Sequence, residues 1–264
     1  MDEKTIIFAP HPDDEILGCY QIIKDYPEAA YIVYLTNGDY EGRDMARIRW
    51  AESRAALAHL GVPEDHMIAL GYADTGMAPE ISFLWRLWHD ETGVVLPSAN
   101  AAETWHPADG QEYALTRTGA HAPYTRQSVL DDLTALLTEL RPGTIYIPNE
   151  FEAHGDHAAA AVFVSTAAEA IPDYHPMTFR YHLHGGDDAR WPARTGAYFT
   201  QPMNLPDSQW DIRLSVPVTD RVDLEYTLRL FASQVAEDEP YMMSFVKDEQ
   251  LYYPPVFHCE PDEA

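Results

Sequence analysis

Two hydrophobic periods alternate along this chain. Residues 6–9, Ile-Ile-Phe-Ala, form an unbroken apolar run, the pattern of a strand buried on both faces. Residues 31–35, 66–71 and 144–147 repeat that pattern. Between the runs the period becomes helical. Ile16, Leu17, Tyr20, Ile22 and Ile23 fall at helical spacing within 15–26, and the Ala- and Arg-rich segment 44–60 ends at Gly61, a C-cap residue. Leu130, Leu133, Leu136, Leu137 and Leu140 form a stripe that opens on a capping-box-like start at 128–131 and stops at Pro142-Gly143. A small-residue helix over 157–170, strands over 179–184 and 210–216 and a last helix over 220–234 complete the reading. Strand–helix alternation of this kind predicts βαβ units and a mostly parallel sheet, an α/β fold.

The regularity breaks between about residues 78 and 126, ahead of the fourth βα unit. Only 81–89 reads as helix there, and Pro97, Pro107, Gly110, Gly119 and Pro123 punctuate the rest. A connection this long exceeds an ordinary αβ loop and suggests a lid or binding loop. It holds Trp85, Trp88, Trp105, Tyr113 and Tyr124, and the expectation is a substrate lid. With no repeat, low-complexity tract or linker in view, residues 1–264 are expected to form a single domain.

Composition narrows the partners. At 46% apolar over 264 residues, the chain can bury a sizeable core. Lys plus Arg number 17 against 43 Asp plus Glu, a formal net charge of -26, which repels nucleic-acid phosphates and anionic membranes. No apolar run approaches the ~18 residues of a membrane span, and the first residues lack a signal-peptide pattern, so a cytoplasmic protein is expected. Cys19 and Cys259 are expected to be free thiols, with Cys19 in the core.

The candidate chemistry sits in two clusters, His11-Pro12-Asp13-Asp14-Glu15 behind the first strand and His154-Gly155-Asp156-His157 behind the fourth. Open α/β sheets bind ligands at the carboxyl ends of their strands. Zinc accepts imidazole and carboxylate and leaves a position for water when three protein groups hold it. His11 and Asp14, three apart across a strand-to-helix junction, can turn to one point, leaving Asp13 free as a base. One histidine of the second cluster completes the metal set and the other faces the substrate, with Asp156 holding that second imidazole. Each cluster alone also reads as a helix start: acids follow Pro12 in a first turn, and Asp156 could be a cap.

These residues resemble the PIG-L/LmbE family of zinc-dependent N-deacetylases. Thr36-Asn37-Gly38 with Glu41-Gly42, Arg49-Trp50-Ala51-Glu52, Leu60-Gly61-Val62, residues 70–74 and Ser233-Gln234 extend the resemblance over most of the chain. It implies a Rossmann-like sheet sandwiched by helices, a divalent metal and hydrolysis of an N-acetyl group on an amino sugar or glycoconjugate. By position it makes His11, Asp14 and His157 the metal ligands and Asp13 the general base. It makes His154 the oxyanion partner tuned by Asp156, and gives Arg49 and Asp74 contact with the sugar. Glu52 is placed to pair with Arg49. His182 and His184 share a strand face, from which they could reach the substrate, although two surface histidines is the preferred reading. Zn²⁺ is the expected ion, although Fe²⁺ or another divalent metal accepts the same donors.

Two alternatives stand beside this reading. One is an amidase acting on a different acyl group of a glycosyl or thiol conjugate; the other is a non-catalytic metal- or carbohydrate-binding protein. A pure binder needs neither Asp13 nor His154. No G-x-G-x-x-G follows the first strand, and no P-loop, H-E-x-x-H or G-x-S-x-G occurs. The substrate expected is a small N-acetyl sugar, and a homo-oligomer is compatible with the sequence.

Overall fold

The computed structural model describes residues 4–108, 110–186, 191–193, 195–235 and 241–254. Strands β1 (Thr5–Ala9), β2 (Ala30–Thr36) and β3 (Met67–Tyr72) are separated by helices α1 (Asp14–Asp25) and α2 (Arg43–Leu60). Helices α3 (Phe83–His89), α4 (Tyr113–Thr118) and α5 (Arg126–Leu140) precede β4 (Thr144–Pro148), and α6 (Gly155–Glu169) leads to β5 (Met177–Tyr181). The C-terminal part holds α7 (Asp207–Asp211), β6 (Leu214–Pro217), α8 (Arg221–Arg229) and β7 (Glu249–Tyr252).

The five strands pair in the order β3-β2-β1-β4-β5, all parallel. This is the Rossmann-like α/β architecture that the alternation of periods implies. β1 lies at the centre and is buried on both faces. Ile6 and Phe8 enter one apolar cluster with Leu133, Leu136 and Phe163, while Ile7 and Ala9 enter another with Ile16, Leu57 and Leu228. Strand side chains alternate in direction, so helices α3, α5 and α6 cover one face and α1, α2 and α8 the other. β6 and β7 form a separate antiparallel pair, and Tyr253 just beyond β7 bridges Arg180 on the edge strand β5. No helix among the described residues is long and apolar enough to cross a membrane.

The chain leaves β1 toward β2 on one side, while β4 lies on the other side of β1. The crevice at the carboxyl ends of β1 and β4 is therefore the topological switch point, where such sheets bind their ligands. His11 follows β1 directly, and the second histidine cluster follows β4.

Several boundaries differ from the expectation. The helix read as starting at 128–131 begins at Arg126, capped by Thr125, whose hydroxyl accepts the Ser128 N–H at 3.1 Å. Trp210 is on α7 rather than on a strand, because Pro206 and Asp207 open a helical turn there; extended structure resumes only at Leu214. β5 stops at Tyr181, so His182 and His184 lie on the following loop. The last helix ends at Arg229 rather than 234. Cys19 is free and buried, and Cys259 lies outside the described residues.

The segment 78–126 is built into the core on one side. Tyr124 is fully buried, packs edge-on against Phe83 at 4.9 Å and donates to the Gly71 carbonyl at 3.2 Å. Trp88 meets Phe163 of α6 at 5.0 Å, and Arg126 stacks over it at 4.0 Å. Trp85 and Tyr113 pack against the same cluster, and Trp105 is covered by Arg43. The aromatic residues expected to face a substrate are thus spent on packing.

Candidate active site

The turn between β1 and α1 sets the geometry. Asp13 occupies the cap position of α1 with φ 118°, a left-handed conformation rare outside glycine. Such a backbone costs on the order of 1–3 kcal/mol and persists only where its surroundings hold it. The Asp13 carbonyl accepts the Ile16 and Leu17 amides at 3.0 and 3.1 Å, and its own N–H donates to Glu15 Oε2 at 2.9 Å. Two adjacent carboxylates consequently diverge. Asp14 turns to His11 and His157, and Asp13 turns to Arg49.

Asp14 Oδ2 is the hub. It lies 3.3 Å from His11 Nδ1 and 3.1 Å from His157 Nε2, and accepts the His11 backbone N–H at 2.9 Å. These three side chains are buried, and their ligand atoms lie within 4.8 Å of one another, so together they could hold a metal ion. His11, His154 and Asp156 form a second such group. In that group the atoms are already engaged. Asp156 Oδ1 accepts the Leu84 N–H at 2.7 Å, its Oδ2 faces His11 Nε2 at 3.2 Å, and His154 Nδ1 accepts the Asp156 N–H at 3.2 Å. In the first group, by contrast, both ring nitrogens of His157 are buried without a hydrogen-bond partner. A buried set of two imidazoles and one carboxylate, with the His157 nitrogens left without a hydrogen bond, fits a divalent cation.

Carboxylates back both imidazoles. Asp156 faces the far nitrogen of His11, and Glu152 Oε1 stands 3.7 Å from His157 Nδ1. Asp156 was expected to hold His154; its carboxylate sits on His11 instead. What orients His154 is its place as the N-cap of α6, accepting the Asp156 backbone N–H. That bond puts the ring proton of a neutral His154 on Nε2, making it a donor. Burial and then the charges of His11, His157 and His184 push the His154 pKa far down, so the ring is neutral.

The electrostatics separate the two aspartates. Burial would raise Asp14, but His157 and His11 outweigh it and hold its carboxyl well below the usual range. Burial raises Asp13 to about 6 despite the opposing Arg49 guanidinium, whose Nη2 donates to Asp13 Oδ2 at 2.8 Å. Glu15 is pushed up to about 8 by burial and by Asp13, so this carboxyl is protonated at neutral pH. Arg49 also donates to the Pro12 carbonyl at 2.8 Å and approaches Asp74 at 3.8 Å. Asp74 is buried and lies 3.9 Å from His11 Nε2. Glu52 does not pair with Arg49; it receives the Ser233 amide and hydroxyl at 2.7 and 2.6 Å.

Above these groups opens a cavity of about 210 Å³, lined by His11, Asp13, Asp14, Arg49, Asp74 and His154 below and by Met77, His184, Gln234 and Tyr241 at its walls. No aromatic residue of 78–126 lines it. Three residues take places that the preferred sequence reading did not give them. His184 is not a surface histidine: its ring lies 4.6 Å from His157 and 5.1 Å from His154, with Tyr241 stacked on its far side at 5.7 Å. His182 is likewise buried, bonded to Asn204 at 3.1 Å. Glu152, with both oxygens buried, accepts the Leu183 and His184 amides at 2.5 Å each and so ties the loop after β5 to the loop before α6. An acid two residues before His154 was the available signal.

Residues 6–168 match the sequence profile of the PIG-L family, described as GlcNAc-PI de-N-acetylase. The chain belongs to this family. Both histidine clusters lie inside the matched span, whereas His184, Gln234 and Tyr241 lie beyond it. The chain is also 23% identical over 272 residues to a diacetylchitobiose deacetylase of Thermococcus kodakarensis, covering 95% of this chain and 78% of that one. The N,N'-diacetylchitobiose deacetylase of Pyrococcus horikoshii superposes with a TM-score of 0.58 at 17% identity, over 96% of this chain and 84% of that one. A teicoplanin deacetylase, Orf2, in a zinc-inhibited form, superposes with a TM-score of 0.59 at 14% identity, over 99% and 100% of the two chains. At these identities the superpositions establish a shared PIG-L fold.

Proposed function

We propose that this PIG-L protein is a metal-dependent N-deacetylase that hydrolyses the acetamide of an N-acetylated amino sugar or its glycoconjugate, and that its elements form one domain. The observation that carries the reading is the divergence of Asp13 and Asp14. One carboxylate joins His11 and His157 in a cation-holding set, while its neighbour lines the same cavity outside that set.

His11, Asp14 and His157 would hold the ion, and Zn²⁺ is the ion we assign. When bound, a divalent cation supplies Lewis acidity to the acyl carbonyl and to a water. Asp13, which lines the cavity outside the cation-holding set, is placed to accept a proton from the attacking water and return it to the departing amine. Arg49 keeps the Asp13 carboxylate oriented and limits how far burial raises its pKa. His154 presents its Nε2–H to the oxygen on which charge develops, a donor role worth roughly 3–4 kcal/mol. Asp156 holds the far nitrogen of His11 at 3.2 Å, and the Glu152 carboxylate faces His157 Nδ1 from 3.7 Å as its backing charge. Asp74 accepts a sugar hydroxyl at the cavity wall.

The test is metal analysis of the purified protein combined with amine release from N-acetylated sugars and their glycosides. Bound divalent metal with release that chelation abolishes is the expected result. Bound metal without release from any acetamide would overturn the reading.

A further inference from the structure

Among the described residues, none of segment 78–126 lines the cavity over the histidines, yet the segment is bonded to a residue that does. At its turn 98–101 the Asn100 side-chain amide donates twice at 2.8 Å, to the backbone carbonyl and to Oδ2 of Asp39. Both neighbours are acceptors, so the nitrogen of this amide must face them. Asp39, on the loop after β2, is fully buried, and its Oδ1 accepts the Asp74 backbone N–H at 2.7 Å. One carboxylate therefore joins segment 78–126 to Asp74 at the cavity wall.

A second bond crosses the same junction in the opposite direction. Asn37 donates to the Trp105 carbonyl at 2.8 Å and to the Gly71 carbonyl at 3.3 Å. Gly71 has φ 86°, and a Cβ there would lie 2.6 Å from the Trp105 carbonyl oxygen, so the end of β3 and the Trp105 backbone meet with no room for a side chain. Arg43 closes the outside, stacked on Trp105 at 4.5 Å and donating to the Asn100 carbonyl at 2.8 Å. The loop after β2 and segment 78–126 thus hold each other by exchanged asparagine side chains.

This clasp fixes the backbone at Asp74. The Gly76 N–H donates to Asp74 Oδ1 at 3.0 Å, which leaves Oδ2 toward the site, 3.9 Å from His11 Nε2 and 3.8 Å from Arg49 Nη1. Burial raises the Asp39 pKa, and the Asp74 N–H and the Asn100 amide oppose burial by holding the charged form. Hydrogen bonds to a charged group are stronger than neutral ones, so removing the Asn100 amide loosens the carboxylate that grips Asp74.

We propose that Asn100 and Asp39 are positioning residues for substrate binding: segment 78–126 braces Asp74 at the cavity wall from behind. The proposal rests on the N-deacetylase reading, in which Asp74 contacts the substrate.

Steady-state amine release should be measured for Asn100→Ala, Asp74→Ala and the double variant. Asn100→Ala should raise KM about 10-fold, the size of one loosened charge-assisted hydrogen bond, with kcat within about twofold of the parent. In the Asp74→Ala background the same substitution should change KM by less than about twofold, because its effect passes through Asp74. Equal KM effects in the two backgrounds overturn the proposal. So does a parent-like KM in Asn100→Ala, even where the stability of that variant falls. If the parent releases no amine from any acetamide, the deacetylase reading fails, and hydrogen exchange at the Asp74 amide, followed by NMR, decides the brace separately; the same measurement decides it if only Asp74→Ala is silent. Exchange about 10-fold faster in Asn100→Ala than in the parent supports the brace, and equal rates refute it.

Discussion

Glu152→Gln separates a residue that positions a metal ligand from one that only anchors a loop. The glutamate is buried, accepts two backbone amides at 2.5 Å and faces His157 Nδ1 at 3.7 Å. Burial would raise its pKa, but the facing His182, His157 and His184 outweigh burial and keep it ionised. Glutamine has nearly the same shape, so no cavity forms. It has only one acceptor oxygen, however, and its amide nitrogen must then point at the Leu183 or His184 N–H. One buried donor loses its partner at a cost of about 1–3 kcal/mol. His157 Nδ1 also loses the facing charge that favours a proton on Nδ1 and leaves Nε2 free to ligate. Loss of such a backing carboxylate typically weakens metal binding about 10- to 100-fold. Competition against a chromophoric chelator at neutral pH reads the affinity, and urea unfolding of the metal-free protein reads the stability. Both should fall. If stability falls while the metal affinity stays within twofold of the parent, Glu152 is only a loop anchor and the positioning role is wrong.

Asp13→Asn should keep the metal and lose about 10²- to 10⁴-fold in kcat, the span of a general base; metal content and turnover on the same preparation test this, and retention of the parent rate would remove Asp13 from the mechanism. Tyr124→Ala should destabilise the fold by about 3–5 kcal/mol, as for a buried aromatic side chain; an unchanged denaturation midpoint would show that the 78–126 segment is not part of the core. Asp223 lies between Lys24, Tyr20 and His59, whose hydrogen bonds outweigh its partial burial and lower its pKa from 3.8 to about 2. Because the folded value is the lower one, its contribution is present above pH 4 and fades as pH falls toward 2. With 21% of its side chain exposed, solvent screening reduces the contribution to about 1 kcal/mol. Asp223→Asn should therefore cost that amount at pH 7 and progressively less below pH 4; a gap independent of pH in denaturant melts would contradict the assignment.

What the sequence makes legible follows from which forces act locally. β1 and β4 read as strands because their apolar runs are buried on both faces, and Gly61 closes α2 because it adopts the left-handed C-cap, φ 88°. The two histidine clusters are legible because each lies between a strand and the helix after it, and the switch point brings those strand ends together. Segment 78–126 is opaque for the opposite reason. Tyr124 and Trp88 find their partners in Gly71, Phe83 and Phe163, and no local period reports such contacts. His184 and Glu152 were hidden in the same way. An imidazole three positions beyond a strand end looks exposed until Tyr241, 57 residues later, stacks across it.

The partner of Asp156 shows how adjacency in sequence can mislead about chemistry. Asp156 stands two residues from His154, and pairing the two is the natural reading of an His-x-Asp. On the first turn of a helix, however, side chains two apart point in different directions. His154 caps α6 and looks into the cavity, whereas Asp156 looks beneath it to His11, 145 residues away. The same separation occurs at the other cluster, where the positive φ of Asp13 turns it from Asp14. At both strand ends a helix start splits neighbouring polar residues into two sets. One set faces the cation position or the ring nitrogen behind it, and the other faces the cavity. In the proposed reaction this arrangement keeps Asp13 and His154 free for proton transfer and charge stabilisation, because neither is consumed in holding the ion. A family member that lost the left-handed residue at position 13 would be expected to retain the cation and lose the alignment of its base, a distinction that metal affinity and kcat measured together would reveal.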